Sequence, residues 1–387
     1  FIYTMIETLD RYHGQVTGVF SGDECVSGKN PVQGTELCAV ADYIFSLGEA
    51  MTVLADPALG DRLERIAYNA WPATFAPDMW SHQYDQQANQ VLVSDNQEHM
   101  WSTNGPASNL YGLEPNFGCC TANMHMGWPK FVSHLWMRTG DDGLAAVAYA
   151  PSEASFTSAG VPVTVALDTD YPFRDTLTFT VTAESPVSFP LMLRIPAWAK
   201  DATLTVDGQG ADAPAPGTFH RVEREWSGET VVTLVLPMQP ASQRRYNGSI
   251  ALERGPLVYS LKIGEEWRQI NKDVPGREAP HADYEVHPTT EWNYGLVVDE
   301  KDLASSITFE ERPMGDCPFS PEGAPIEATV SGRQIPGYDV ASGWAGELPY
   351  KGASTSWEKV CSDAPLTELT LIPYGCTNLR ITEFPLL

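Results

Sequence analysis

At Gly140-Asp141-Asp142-Gly143 the hydrophobic period of this 387-residue chain changes from helical to two, and that switch constrains the fold more than any other feature. Upstream, Leu37, Ala41, Ile44, Gly48 and Met51 recur on one helical face. Asp56-Pro57 supplies an N-cap and a first-turn proline for a second helix carrying Leu59, Leu63, Ile66, Ala67 and Ala70. A third helical stretch is expected from about Thr121 to Arg138, with Pro129 as a kink or restart. Downstream, Thr176 to Thr182 alternates as a half-buried strand does, and Leu191–Ile195, Thr230–Leu236, Leu257–Leu261 and Glu368–Ile372 read as further strands. Turn-rich stretches such as Asp207-Gly208-Gln209-Gly210 separate them. The expectation is an α+β multidomain chain: a helical region over 1–142, then antiparallel β-sandwiches over 143–263 and 264–387.

Fifty acidic against 24 basic residues leave a formal net charge of −26. Such a surface repels phosphate backbones and anionic lipid, so nucleic acid and membrane are poor partners, whereas a neutral oligosaccharide or glycan is not repelled. Acidity serving solubility alone is the plainer reading. No apolar run approaches the roughly 20 residues that span a bilayer. The chain opens on Phe1-Ile2-Tyr3-Thr4-Met5, with Ile2, Met5, Ile6 and Leu9 at helical spacing, so it reads as truncated at its N-terminus. Oligomeric state is not legible.

Seven cysteines are too few, and odd in number, for a disulfide scaffold. Cys317, Cys361 and Cys376 are scattered through β-like sequence and read as buried or inert; Cys25, Cys38, Cys119 and Cys120 fall in the first third, among the polar motifs. Glu36, Cys38, Cys119 and Cys120 offer a carboxylate and three thiols, a plausible four-ligand set for Zn²⁺. The spacing matches no zinc-finger pattern. Glu36 and Cys38, two apart, would point to nearly opposite sides within a helix, so both can serve one ion only at a helix mouth, where Gly34-Thr35 loosens the backbone. Each thiol, taken singly, is more often a core hydrophobe than a ligand. A vicinal disulfide at Cys119-Cys120 would be strained.

Two further patches carry chemistry. Asp23-Glu24 lies in a Gly/Ser-rich loop and could furnish a general acid/base, or be merely solvated. Gln83-Tyr84-Asp85-Gln86-Gln87-Ala88-Asn89-Gln90 suits sugar hydroxyls, and equally suits turns and caps.

Taken together, Gly22-Asp23-Glu24, Thr35-Glu36-Leu37-Cys38, Gln87-Ala88-Asn89-Gln90-Val91 and Asn116-Phe117-Gly118-Cys119-Cys120-Thr121-Ala122-Asn123 resemble the β-L-arabinofuranosidase family of glycoside hydrolases, family 127 and relatives. Leu193-Arg194-Ile195-Pro196-Ala197-Trp198, Arg254-Gly255-Pro256-Leu257-Val258-Tyr259 and Ile372-Pro373-Tyr374-Gly375 look like it in the strand-rich part. The resemblance covers nearly the whole chain. It implies the C-terminal part of an (α/α)6 barrel over 1–142, followed by sandwiches. It implies zinc on Glu36, Cys38, Cys119 and Cys120, Cys119 as nucleophile and Glu24 as general acid/base of a retaining hydrolase. Tyr84, His13 and Asn123 are the further candidates for sugar contact. The acidic motif departs from the family's Gly-Glu, so L-arabinofuranose is a lead for the sugar. Two rivals stand beside this reading: a non-catalytic protein in which zinc pins two loops, and a carbohydrate-binding module in which Trp198, Trp226 or Trp267 stacks on sugar rings. Reduced thiols at a zinc site lean towards the cytoplasm, although metal protection also permits export.

Overall fold

The computed structural model describes residues 1–113, 117–210, 213–349 and 363–387; Asn116 of the double-cysteine motif and Cys361 lie outside them. The chain is mixed and sheet-rich, and it divides into two compact units. One comprises Phe1–Tyr43, Ile66–Gly127 and Pro240–Leu387; the other comprises Ile44–Arg65 and Trp128–Gln239.

Among the described residues, five α-helices occupy the first third: α1 (Ile2–Tyr12), α2 (Leu37–Leu54), α3 (Pro57–Tyr68), α4 (Gly118–Met124) and α5 (Gly127–Val132). In α2 the expected stripe is the buried one, with Leu37, Ala41, Ile44 and Met51 inside. Among the described residues α2 is the one helix long and apolar enough to cross a membrane; Leu37, Val40, Ile44 and Leu47 on it are buried in protein. The predicted helix through Arg138 is corrected. Helical structure stops at Val132, and Trp136–Arg138 is a strand antiparallel to Leu144–Ala146. Pro129 does not kink a helix: it sits in the first turn of α5, where its missing N–H has no intrahelical acceptor to lose. The breaker Gly140–Gly143 is therefore the turn of a hairpin, with Asp142 at φ 65°, and the change of period begins a strand earlier than the sequence suggests.

The unit containing Trp128–Gln239 is built on an eight-stranded sheet. Its axis is the 20-residue strand Thr176–Ile195, where the sequence reads two separate strands. Thr218–Val235 pairs antiparallel along almost its whole length, with a bulge between Trp226 and Gly228. The bulge takes up the register shift that lets one long strand serve two apolar stretches. Alternate residues Leu177, Phe179 and Val181 point into the core with Val163, Val165 and Leu167 of the neighbouring strand. Leu144–Ala146 joins the same long strand in parallel. Asp207-Gly208 turns a tight hairpin with both residues at positive φ, 49° and 72°, the conformation a two-residue hairpin requires. Trp226 is fully buried, stacked on Phe189 and donating its indole N–H to the Phe189 carbonyl, so it is core and closed to sugar.

The other unit carries a seven-stranded antiparallel sheet. Ile250–Arg254, Leu257–Leu261, Leu366–Pro373 and Ile326–Gln334 are consecutive in it, so strands from both sides of residue 263 share one sheet. Val16, Ala73, Ala88, Ala251, Val258 and Tyr374 form a common core cluster, which ties the loops of the first third to that sheet.

Candidate functional site

The site begins with a two-residue strand. Thr35–Glu36 pairs antiparallel with Asp85–Gln86 and runs directly into α2, whose first N–H, at Leu37, is taken by the Tyr84 carbonyl at 2.9 Å. Glu36 is thus extended while Cys38 lies in the first helical turn. This is the helix mouth that the two-residue spacing requires for both side chains to face one point. Gly34 permits it: a Cβ there would meet the Asp85 carboxyl carbon at 2.7 Å and the Trp101 carbonyl oxygen at 2.8 Å. Cys119 and Cys120 come from the first turn of α4, which Phe117 precedes.

Glu36, Cys38, Cys119 and Cys120 converge: one ligand atom from each lies within 4.8 Å of all the others. Among the described residues this is the one such group of metal-ligating side chains. The Cys38 and Cys120 sulfurs are 3.4 Å apart, and a Glu36 oxygen is 4.0 Å from the sulfurs of Cys119 and of Cys120. A tetrahedral ion with Zn–S bonds of about 2.3 Å holds its ligands roughly 3.8 Å apart, so donor type and spacing both fit such an ion. The titration behaviour follows from this crowding of donors. Burial first, then the neighbouring Cys38, pushes Glu36 up to about 8, with Glu24 and Asp23 adding repulsion. Hydrogen bonding from Cys120 draws Cys38 down to about 6, helped by the Asn123 amide. Cys119 and Cys120 are raised, Cys119 mainly by burial and Cys120 mainly by its bond to Cys38. Cys120 is buried and Cys38 half-buried, whereas Cys119 is exposed.

The other candidates distribute unevenly. Asn123, one turn along α4, reaches Cys38. Tyr84 is buried, stacked on Phe117 with ring centroids 4.3 Å apart, and its phenol oxygen accepts from the Asn104 amide. Glu24 is exposed and close enough to act electrostatically on Glu36 and Tyr84. His13 caps the end of α1, and its Nδ1 accepts the Gly28 N–H at 2.9 Å, which fixes the loop that follows Asp23-Glu24. The glutamine-rich patch is inside the protein: Gln86 Nε2 donates to the Ala70 carbonyl and Thr74, Gln87 Nε2 to the Val32 carbonyl, and Gln90 Nε2 to the Asn378 carbonyl. Bonds to distant carbonyls and to Thr74 inside the protein therefore occupy those amides. Trp101, Ser102, Thr103 and Asn104 border the site without having been legible in sequence, where no spacing or motif marks them. Cys317 is exposed and Cys376 buried.

Comparison with known proteins bears on the fold and on one segment. The family model described as β-L-arabinofuranosidase, GH127 middle domain, matches residues 143–238. A GH127 β-L-arabinofuranosidase from Geobacillus stearothermophilus T6 has a TM-score of 0.67 at 20% identity, over 97% of this chain and 54% of its own. A second structure, a GH127 β-arabinofuranosidase, has a TM-score of 0.67 at 17% identity, over 97% and 54%. A third, described as a glycoside hydrolase, has a TM-score of 0.66 at 16% identity, over 98% and 61%. The likeness to these structures is one of fold, and the chain spans between about half and three-fifths of their length. Among curated proteins nothing matches. The resemblance read from the motifs is thus met by the strand-rich segment, where residues 143–238 match the model of the GH127 β-L-arabinofuranosidase middle domain, and by the fold of nearly the whole chain.

Proposed function

We propose that this chain is a retaining glycoside hydrolase of the β-L-arabinofuranosidase type, with Cys119 as nucleophile and Glu24 as general acid/base. The observation that carries the proposal is the convergence of Glu36, Cys38, Cys119 and Cys120, in a fold shared with GH127 β-L-arabinofuranosidases. The four residues would hold Zn²⁺, which, when bound, keeps the sulfurs as thiolates at neutral pH. Of the three thiols only Cys119 faces solvent, as an attacking group must. Its sulfur would displace the leaving oxygen at the anomeric carbon while the exposed Glu24 donates a proton to that oxygen. Glu24, now a carboxylate, would deprotonate a water that releases the sugar with retained configuration. Cys38 and Cys120, less accessible, hold the sulfur cluster together, and Asn123 supports it through its bond to Cys38. The five helices of the first third belong, on this reading, to an (α/α) barrel. Residues 1–142 form its C-terminal part, and a neutral glycan is the substrate.

The test is Cys119→Ser in the zinc-loaded chain, assayed on 4-nitrophenyl β-L-arabinofuranoside. Turnover should fall by on the order of 10³-fold or more with the circular dichroism spectrum unchanged. Retained turnover would remove Cys119 from the nucleophile role, and zinc binding without turnover by the unaltered chain would favour the loop-pinning reading.

A further inference from the structure

Asp23 and Glu24 are adjacent carboxylates in one loop, yet their side chains meet different surroundings. Asp23 Oδ2 accepts the Thr103 N–H at 2.7 Å and the Ser102 hydroxyl at 2.9 Å, and Oδ1 accepts the Thr103 hydroxyl at 2.5 Å. Glu24 is exposed. The segment that binds Asp23 is itself anchored on two other walls of the thiol site. The Trp101 carbonyl accepts the Gly34 N–H at 2.8 Å, and the Asn104 amide donates to the Tyr84 phenol. On the other side of the pair, Gly22 adopts φ 140°; its N–H donates to the Gly34 carbonyl at 2.7 Å, and its carbonyl accepts the Glu36 N–H at 3.2 Å. A Cβ at Gly22 would meet the Cys25 carbonyl oxygen at 2.7 Å, so the tight loop back to Val26 depends on glycine there.

We propose that Asp23 is a positioning residue for the reaction: it clasps Trp101–Asn104 and thereby aims Glu24, leaving Glu24 alone of the pair free to transfer protons. The inference rests on the reading of Glu24 as general acid/base. Burial of Asp23 works against its charge, but the bonds from Thr103, Ser102 and the Cys25 backbone outweigh burial and hold its carboxyl below the usual range. A carboxylate so bonded accepts and does not donate. The division of labour between the two acids therefore follows from their partners, which the sequence Asp-Glu does not reveal.

A group that aims a proton donor matters most when the leaving oxygen needs the proton. Asp23→Ala in the zinc-loaded chain should lower kcat/KM on methyl β-L-arabinofuranoside about a hundredfold, and by only a few-fold on the 4-nitrophenyl glycoside, whose phenolate leaves unaided. Thr103→Val, which removes one donor and leaves the loop intact, should shift both values the same way by less. Hydrogen exchange at amides 102–104 should quicken in Asp23→Ala while zinc content stays at that of the parent. Equal losses on the two substrates would make Asp23 a mere support of the fold and overturn the proposal. So would unchanged exchange, which would mean that there is no clasp. The reading of Glu24 fails separately, if Glu24→Ala shows no dependence on the leaving group while Cys119→Ser is inactive; a parent chain without turnover sinks both.

Discussion

Arg194 in one unit and Glu36 in the other are both ionisable side chains withdrawn from water, and they are treated in opposite ways. Around Arg194 the counter-charges are supplied by the fold. Nε donates to the Val147 carbonyl at 2.5 Å, Nη1 pairs with Asp61, and Nη2 pairs with Glu64 at 2.5 Å. Glu64 in turn accepts the Tyr149 N–H and the Tyr171 hydroxyl, and Asp61 accepts the Ala197 N–H. The Leu-Arg-Ile-Pro-Ala-Trp motif is thereby fastened to α3. Around Glu36 the neighbours are three sulfurs and two acids, and Cys38, Glu24 and Asp23 all act against its negative charge. A saturated cluster of opposite charges locks a structure, whereas a cluster of like donors is stable only with a cation or with shared protons. The difference separates a motif whose charges the fold itself balances from one that calls for a cation, although both look equally polar in sequence.

Four substitutions break or sharpen that contrast. Cys38→Ser should take zinc from about one per chain to near none by elemental analysis, with the sheets retained; unchanged zinc would remove the donor-cluster side of the comparison. Arg194→Met should lower stability by about 3–5 kcal/mol in urea unfolding, because it leaves the fully buried Glu64 without its cation, and should leave zinc content untouched. A loss below about 1 kcal/mol would mean that the saturated cluster is replaceable by apolar packing. Gly34→Ala should cost about 1–3 kcal/mol, since its Cβ would strike the Trp101 carbonyl and Asp85, and should weaken zinc binding as well, because the helix mouth must shift. Tyr374→Phe removes a hydroxyl that donates to Gln86 at 2.9 Å and should cost about 1 kcal/mol with zinc affinity within twofold of the parent. A large loss of zinc there would show that the glutamine-rich patch also tunes the site.

The glutamine-rich patch explains part of what was illegible. Gln86, Gln87, Asn89 and Gln90 read equally as sugar ligands or as turn chemistry, and only their partners decide. Arg380 donates to the Gln87 carbonyl at 2.9 Å, Tyr374 donates to Gln86, and the Asn89 amide reaches the Glu383 carbonyl at 3.0 Å, from residues almost 300 positions away in the chain. Trp226 is an apolar counterpart: stacked on Phe189, it is core, as tryptophan in a strand more often is, and only its partner excludes the platform reading. Asp23 and Glu24 are distinguished by Ser102 and Thr103, 79 and 80 positions further on, which carry no signal of their own. The strand Trp136–Arg138 is too short for alternation to show, so it passes as the end of a helix.

What the sequence by itself determined is local: the stripe of α2, the alternation in Thr176–Thr182, the turn at Asp207-Gly208-Gln209-Gly210, and the choice of one carboxylate and three thiols. Each of these follows from side-chain period, backbone permissiveness or donor chemistry within a few residues. Tertiary structure alone decided that Glu36 and Cys38 meet Cys119 and Cys120 within 4.8 Å, that the strands flanking residue 263 share a sheet, and that Asp23 is tied down while Glu24 faces solvent. Those outcomes depend on which distant segments pack together, and packing is set by burying apolar surface and satisfying buried polar groups across the whole chain at once.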